Sequence, residues 1–324
     1  MTQPRPKTTN IKTQCIMTNT ISKTINIAII HHEIALPSAV FGLEEIFLLA
    51  NRVCDTHHLD IVFNPQRITQ LAKNNVPHWD VIILPPCIAG QNSPTDAALL
   101  KWLIKQHKTG SLLTSICVGA FTLAATGLLA GRTITTHWSF ADEFRLRFPN
   151  QPVDIQRILI DHGDVISAGG VMSWLDLGLA LIAKYSSQFV KRQVGKTLVM
   201  DTKHREQSFY QEFTPNFSHG DLLVIQAQQW LAQHLSQKIE VRKLAEHCHL
   251  SERTLQRRFM KATRLSPNQY LQRLRIQAAC DLLETTRQPF ESIAYQIGYL
   301  DSSACRKTFI KIMGLTPNQY RKRF

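Results

Sequence analysis

The feature that most constrains this chain of 324 residues is an internal repeat near its carboxyl end. Residues 265–270 (LSPNQY) return as residues 315–320 (LTPNQY), and Phe259 returns at the same spacing as Phe309. Two copies of so short a unit predict two similar helical modules in tandem. Each copy has the pattern of a short helix, a turn and a second helix that carries basic residues, which is typical of proteins that bind successive stretches of DNA major groove.

The second helix of the first module is predicted to begin after Ser251, a residue type that favours the N-cap position. Leu255 and Phe259 are four residues apart, so they share one face and are expected to pack inward. Arginine pairs with guanine and glutamine with adenine in the major groove. The polar side chains on the other face are therefore candidate base contacts: Arg253, Gln256 and Arg257.

In the second module, Cys305 and Phe309 are the expected inward positions of the corresponding helix, residues 302–312. This helix has fewer base-reading side chains, so we expect it to contribute more phosphate contact and less sequence discrimination. Its candidate DNA contacts are Ser303, Arg306 and Lys307.

Charge supports a nucleic-acid partner for the same region. Residues 238–324 contain 17 Lys and Arg against 7 Asp and Glu, so they account for +10 of the chain's net charge of +13. Localised positive charge is what phosphate binding requires.

The seven cysteines are scattered and contain no CxxC pair, so the sequence supports neither a disulfide framework nor a zinc site. This usage fits a reducing cytoplasm. Residues 1–23 are polar and lack the apolar segment of a signal peptide, which predicts a disordered tail. No apolar run is long enough to cross a bilayer.

Apolar runs and helical patterns alternate between residues 25 and 190, which predicts a parallel sheet covered on both faces. The predicted strands are residues 25–30, 59–63, 81–84, 111–116, 155–160 and 165–167. The predicted helices are residues 39–51, 97–107, 121–129 and 172–184.

Cys117 lies where a predicted strand runs directly into a helix. At such a junction we expect the helix dipole to lower the thiol pKa and the turn to expose the sulfur. The competing interpretation, which we favour, is a small half-buried residue that lines a crevice. Ligands of open α/β sheets bind at the carboxyl ends of the strands. The candidate pocket residues are Cys117, His137, Trp138 and Gly169.

Three segments of this region, 115–121 (SICVGAF), 127–132 (GLLAGR) and 136–138 (THW), resemble the ThiJ/PfpI superfamily. The resemblance covers residues 24–190 and implies a flavodoxin-like sheet of the class I glutamine-amidotransferase type. Enzymes of that superfamily commonly place a histidine after the elbow cysteine and an acid on the helix after the first strand. Here Val118 and Ala39 occupy those positions. We therefore predict no catalysis, no cofactor and no metal, and a pocket retained for sensing.

Segments 244–246 (LAE), 251–259 (SERTLQRRF), 266–270 (SPNQY), 293–299 (IAYQIGY) and 309–321 resemble the AraC/XylS family of transcription regulators. This resemblance covers residues 219–324. Two positions depart from the family pattern: Arg264 stands where glycine is usual, and Cys305 where an aromatic residue is usual. Arg264 is expected to strain its turn.

Together the two resemblances are those of the GlxA subfamily of regulators. This resemblance implies two domains: an α/β sensor or dimerisation domain at residues 24–190 and an all-α tandem helix-turn-helix domain at 219–324, joined by a linker at 191–218. The implied partners are double-stranded promoter DNA, RNA polymerase, a small-molecule effector and a second copy of the chain, in the bacterial cytoplasm and at the nucleoid.

Two alternatives stay open on the sequence. The first is a ThiJ/PfpI-type cysteine hydrolase or glyoxalase-like enzyme fused to a DNA-binding module, for which a reactive Cys117 would be the signature. The second is a constitutive DNA-binding protein whose first domain only dimerises.

Overall fold

The computed structural model of the protein describes residues 23–71, 77–87, 96–202 and 206–324. The predicted tail, residues 1–23, lies outside these ranges except for Lys23, which begins the first strand. The described chain forms a six-stranded sheet with its helices, followed by seven further helices.

The sheet has the strand order β2-β1-β3-β4-β6-β5. Its strands are β1 Lys23–Ile30, β2 Ile61–Ile68, β3 Val81–Leu84, β4 Leu112–Ile116, β5 Leu159–Asp161 and β6 Val165–Ala168. All neighbouring strands pair in parallel except β5, which is antiparallel to β6. With β6 counted as the fifth parallel strand, this is the flavodoxin-like order. The predicted parallel α/β sheet is confirmed apart from this short edge strand.

Every residue of the central strands β3 and β4 is buried, as expected for strands covered on both faces. The helices of this part are α1 Pro37–Thr56, α2 Ala97–Lys108, α3 Gly119–Ala125, α4 Ala141–Arg147, α5 Trp174–Tyr185 and α6 Gln188–Thr197. The predicted helix at 121–129 is shorter and earlier than expected, and α4 was not predicted because its seven residues carry too little periodicity.

Helix α6 crosses the domain boundary that the sequence predicted after residue 190. Val190 and Val194 are completely buried in the core of the sheet domain, where α6 packs against α1 and α5. Residues 191–197 therefore belong to that packing unit and not to a linker. The polar residues that suggested a linker occupy the outer face of an amphipathic helix.

The second part of the chain is all helical, as predicted. Its helices are α7 Leu222–Gln233, α8 Val241–His247, α9 Glu252–Thr263, α10 Pro267–Thr285, α11 Phe290–Gln296, α12 Ser302–Met313 and α13 Pro317–Arg321. They enclose two separate apolar cores, one for each module, and the long helix α10 contributes to both. Among the described residues, no helix is both long and apolar enough to cross a membrane.

The repeated hexapeptide has a direct physical role, because each copy starts a helix. Ser266 and Gln269 form a capping box at the start of α10, and Thr316 and Gln319 form the same box at the start of α13. The proline of each copy takes the first helical position, where its missing N–H costs nothing.

Each repeat ends in a tyrosine that is buried in the core of its own module. Tyr270 packs in the first core and accepts a hydrogen bond from the Gln228 amide at 3.0 Å. Tyr320 packs in the second core and donates to a Glu284 carboxylate oxygen at 2.6 Å. The repeat thus encodes a helix start joined to a core anchor.

The residues that end α9 and α12 are equivalent in the repeat and share the left-handed conformation, with φ +59° at Arg264 and +71° at Gly314. A side chain is strained in this region and glycine is not. The strain expected at Arg264 is therefore present in the first module and relieved in the second.

Candidate nucleic-acid interface and effector pocket

Helix α9 separates its apolar and polar residues as predicted. Leu255 and Phe259 are completely buried, whereas Arg253, Gln256 and Arg257 are exposed on the other side of the helix. Ser251 caps the helix by accepting a hydrogen bond from the backbone N–H of Thr254. One face of α9 is thus held in the core while the other presents two guanidinium groups and an amide to solvent, which suits major-groove contact.

The neighbouring Arg258 has a structural role instead. Its guanidinium donates two hydrogen bonds to the Asp221 carboxylate, at 2.7 and 2.9 Å, and Asp221 also caps α7. The hydrogen bond from Arg258 lowers the pKa of Asp221. This pair ties α9 to α7.

Helix α12 presents a smaller polar surface. Ser303 and Lys307 are exposed, but Arg306 is half-buried. Its guanidinium donates to Glu291 at 2.7 Å and lies 5.1 Å from the centre of the Phe290 ring. Two of the three predicted contacts of α12 are thus on the open face, while the third is turned toward α11.

The N-cap of α12 was not predicted from the sequence. It is Asp301, whose carboxylate accepts hydrogen bonds from the backbone N–H groups of Ser303 and Ala304 at 2.9 and 3.0 Å. The signal was available, because aspartate directly before a helix is a strong N-cap residue.

Cys117 does sit at the strand–helix turn, with φ +54°, which is unusual for a side-chain-bearing residue. The expectation of an exposed thiol with a lowered pKa is nevertheless wrong. The residue is 1% exposed, and burial raises the pKa of its thiol to about 12. The dipole of the seven-residue helix α3 does not offset the cost of burying a thiolate among apolar neighbours.

The other predicted pocket residues lie near the strand ends. Gly169 donates its backbone N–H to the Ile158 carbonyl at 2.7 Å. The His137 ring contacts the Ser139 hydroxyl at 2.7 Å, and burial lowers the pKa of His137. A hydrogen bond connects His137 and its neighbours to the strand–helix turn, because the Thr136 hydroxyl donates to the backbone carbonyl of Cys117 at 2.8 Å.

Gln207, which the sequence pattern did not indicate, fills the space between these groups. Its amide nitrogen donates to the Thr136 carbonyl at 3.0 Å, and the backbone N–H of Trp138 donates to its amide oxygen at 3.3 Å. A Cβ at Gly169 would lie 1.9 Å from that amide nitrogen and 2.6 Å from the Thr136 backbone carbonyl oxygen, which cannot move aside, so glycine is required there. No local motif marks Gln207, because it lies in a segment without regular periodicity.

The sheet domain also contains buried polar atoms without a hydrogen-bond partner. Within the described part of the chain, five buried side-chain atoms have no hydrogen-bond partner, and they include His32 Nδ1, Ser115 Oγ and Trp174 Nε1. The other ring nitrogen of His32 is 3.6 Å from the Cys87 sulfur. Buried polar atoms without partners are costly, so they are candidates for ligand contact. In the same described ranges, no three His, Cys, Asp or Glu residues are grouped to hold a metal ion.

Cys117 is expected to react slowly with iodoacetamide in the folded protein. A pKa of about 12 in place of 9 makes its thiolate fraction at pH 8 about a thousandfold smaller. Mass spectrometry of alkylated peptides over a pH series measures this rate, and the protein unfolded in guanidinium is the matched control. Modification of folded Cys117 at neutral pH as fast as free cysteine would contradict the assignment of a buried, unreactive thiol.

Comparison with known proteins agrees with both parts of the structure. A helix-turn-helix domain model matches residues 244–323, and the DJ-1/PfpI family model matches residues 60–184. The chain is 27% identical over 225 residues to the HTH-type transcriptional regulator CdhR of Pseudomonas aeruginosa, covering 69% of this chain and 67% of that protein.

Two further relatives align over similar lengths. Identity is 24% over 250 residues to the HTH-type transcriptional regulator GbdR of Pseudomonas aeruginosa, covering 77% of this chain and 68% of the relative. The identity to the HTH-type transcriptional regulator GlxA of Rhizobium meliloti is 26% over 246 residues, covering 73% of this chain and 74% of the relative. The fold, the two family matches and these relatives identify the chain as an AraC-type helix-turn-helix transcriptional regulator that carries a DJ-1/PfpI domain.

Proposed function

We propose that this regulator binds promoter DNA sequence-specifically through α9 and α12 and responds to a small effector held at the strand ends of its DJ-1/PfpI domain. The observation that carries the proposal is the division of α9 between a fully buried apolar face and an exposed face with Arg253, Gln256 and Arg257. Buried Leu255 and Phe259 fix the helix, so the exposed side chains are displayed on a rigid support.

The tandem arrangement suits two successive major grooves. Helix α10 joins the modules and has 19 residues, which at 1.5 Å per residue makes it about 28 Å long. This is close to the roughly 34 Å of one helical turn of DNA. We assign base contacts mainly to α9 and phosphate contacts mainly to Ser303 and Lys307 of α12. Arg306 joins them only when it leaves Glu291.

A sensing role for the first domain is supported by what surrounds Cys117. The strained backbone at this residue is the one observation that favours the alternative of a fused hydrolase. Against it, the thiol is buried with a raised pKa, and the described hydrogen bonds of the His137 imidazole are with Ser139. We therefore propose that the domain binds a ligand without turning it over, and that the unpartnered polar atoms of His32 and Trp174 contribute to binding.

The remaining partners follow from the regulatory role. A dimer would place two tandem modules on one operator and raise affinity through their effective concentration. We further propose that the promoter-bound protein contacts RNA polymerase, and that it acts in the cytoplasm at the nucleoid.

Genome-wide mapping of bound DNA, followed by salt-dependent binding to the best site, tests the proposal. We expect a sequence-selective site whose half-elements are about one helical turn apart, with an affinity that falls steeply as salt rises. Binding that depends on salt but shows no sequence preference would contradict specific recognition by α9.

A further inference from the structure

The segment at residues 206–210 contacts both domains of the protein. Glu206 forms an isolated antiparallel bridge with Arg157, and residues Gln207–Tyr210 make a single helical turn. Gln207 and Ser208 are 3% exposed, an unusual degree of burial for polar residues between two domains.

On the side of the DJ-1/PfpI domain, the Gln207 side chain is bound at both ends of its amide. The two N–H groups of the nitrogen are shared among three acceptors, which are Thr135 Oγ1, the Thr136 carbonyl and the Arg157 carbonyl at 3.1, 3.0 and 2.9 Å. The oxygen accepts from the Trp138 backbone N–H. Three acceptors around the nitrogen and one donor at the oxygen make a socket specific for a primary carboxamide, because a carboxylate would bring an oxygen against the acceptors.

On the side of the helix-turn-helix domain, the same segment packs on the end of the second module. A Cβ at Gly314 would lie 2.9 Å from the Phe209 ring and 3.0 Å from the Ser208 hydroxyl. The Arg323 guanidinium is 4.9 Å from the centre of the Phe209 ring, and it donates a hydrogen bond to the Tyr210 hydroxyl at 3.1 Å. The residues that follow helix α12 are therefore in contact with the residues that follow Gln207.

The socket that holds Gln207 lies at the edge of the sheet where a ligand would bind. Gly169 and Thr136 border it, and the Thr136 hydroxyl bonds the backbone of Cys117 at the carboxyl end of β4. This is the edge of the sheet at which open α/β folds bind their ligands. A group that enters the socket has to displace Gln207, and the displaced segment is the one packed on Gly314 and Arg323.

We propose that residues 206–210 are a latch, in which Gln207 is the internal occupant of a carboxamide-binding site and an effector carrying a primary carboxamide takes its place. Displacement frees the second helix-turn-helix module from the DJ-1/PfpI domain. The inference rests on the proposed function in one respect, the existence of an effector. The socket and the bridge between domains are independent of it.

Hydrogen exchange of the full-length protein tests the latch, with Gln207→Ala as the variant and Gln211→Ala, directly after the segment, as the matched control. For Gln207→Ala we expect exchange to become roughly tenfold faster at Trp138 and at residues 314–324, the factor that corresponds to losing one buried hydrogen bond. Residues 314–324 make none of the described hydrogen bonds to the Gln207 side chain, so faster exchange there reports transmission through the segment. Gln211→Ala should leave both regions unchanged.

Acetamide is the probe for the socket, because its atoms replace those that Gln207→Ala removes. Added to this variant, it should restore slow exchange at Trp138 but not at residues 314–324, since it is not attached to the chain. Gln207→Glu keeps the shape of the side chain and replaces the donating NH2 group by an accepting oxygen, so it repeats the test of the latch should Gln207→Ala fold poorly.

Two results would overturn the proposal. Unchanged exchange at residues 314–324 in both Gln207 variants would mean that the segment transmits nothing to the second module. No effect of acetamide at Trp138 would mean that the socket does not bind a free carboxamide. Neither measurement uses DNA, so a protein that fails here and still binds a specific site keeps its role as a regulator.

Discussion

The combined change Arg253→Ala and Arg257→Ala is expected to weaken binding to the cognate site by about 2–6 kcal/mol, since each lost base contact costs about 1–3 kcal/mol. Each single change should cost about 1–3 kcal/mol of binding free energy, because the two side chains are on an exposed helix face and would contact different base pairs. Titration of labelled operator DNA at fixed salt measures the loss.

The control for this prediction is Arg52→Ala, the same substitution at an exposed position of α1 in the DJ-1/PfpI domain. It removes an equal charge and should leave operator affinity nearly unchanged. Binding to unrelated DNA distinguishes a base contact from a phosphate contact, since only a phosphate contact weakens both equally. Unaltered operator affinity in both single variants would disprove α9 as the recognition helix.

The changes Phe259→Ala and Phe309→Ala are each expected to destabilise the helical domain by about 3–5 kcal/mol, the usual cost of truncating a buried phenylalanine. The two rings are equivalent in the repeat and completely buried, but they lie in different cores. Phe259→Ala should therefore loosen α8 and α9 most, and Phe309→Ala should loosen α11 and α12 most. Denaturant unfolding gives the size of each effect, and hydrogen exchange gives its location.

Met260→Ala is the matched control for the first of these changes, because Met260 follows Phe259 directly and is 44% exposed. Its effect on stability should stay within about 0.5 kcal/mol, as for surface substitutions in general. If Phe259→Ala and Phe309→Ala loosened all helices of the domain equally, the two cores would not be separate units and the modular interpretation would be wrong.

The helical domain shows how far local pattern determines structure. Ser266 and Gln269 are three residues apart and cap α10 by contacts within one turn, so this helix start depends only on neighbouring residues. The spacing of Leu255 and Phe259 likewise predicted which face of α9 is buried. These features depend on neighbours three or four positions away, and the sequence contains such neighbours explicitly.

The candidate pocket shows the opposite case. The expected pKa of Cys117 was wrong in direction, because position at a helix start is a local property while burial depends on all the elements packed around the residue. The pairing of Arg306 with Glu291, 15 positions away, was missed for the same reason.

By itself, therefore, the sequence determined the alternation of strands and helices, the two helix-turn-helix modules, the Ser251 cap of α9 and the exposed residues of that helix, all of which follow from short-range periodicity and charge. Only the tertiary structure decided that α6 belongs to the sheet domain, that Arg258 is held by Asp221 and that Gln207 closes the strand-end socket. Gln207 and Thr135 are 72 positions apart, and a contact at that separation depends on packing that no local pattern encodes.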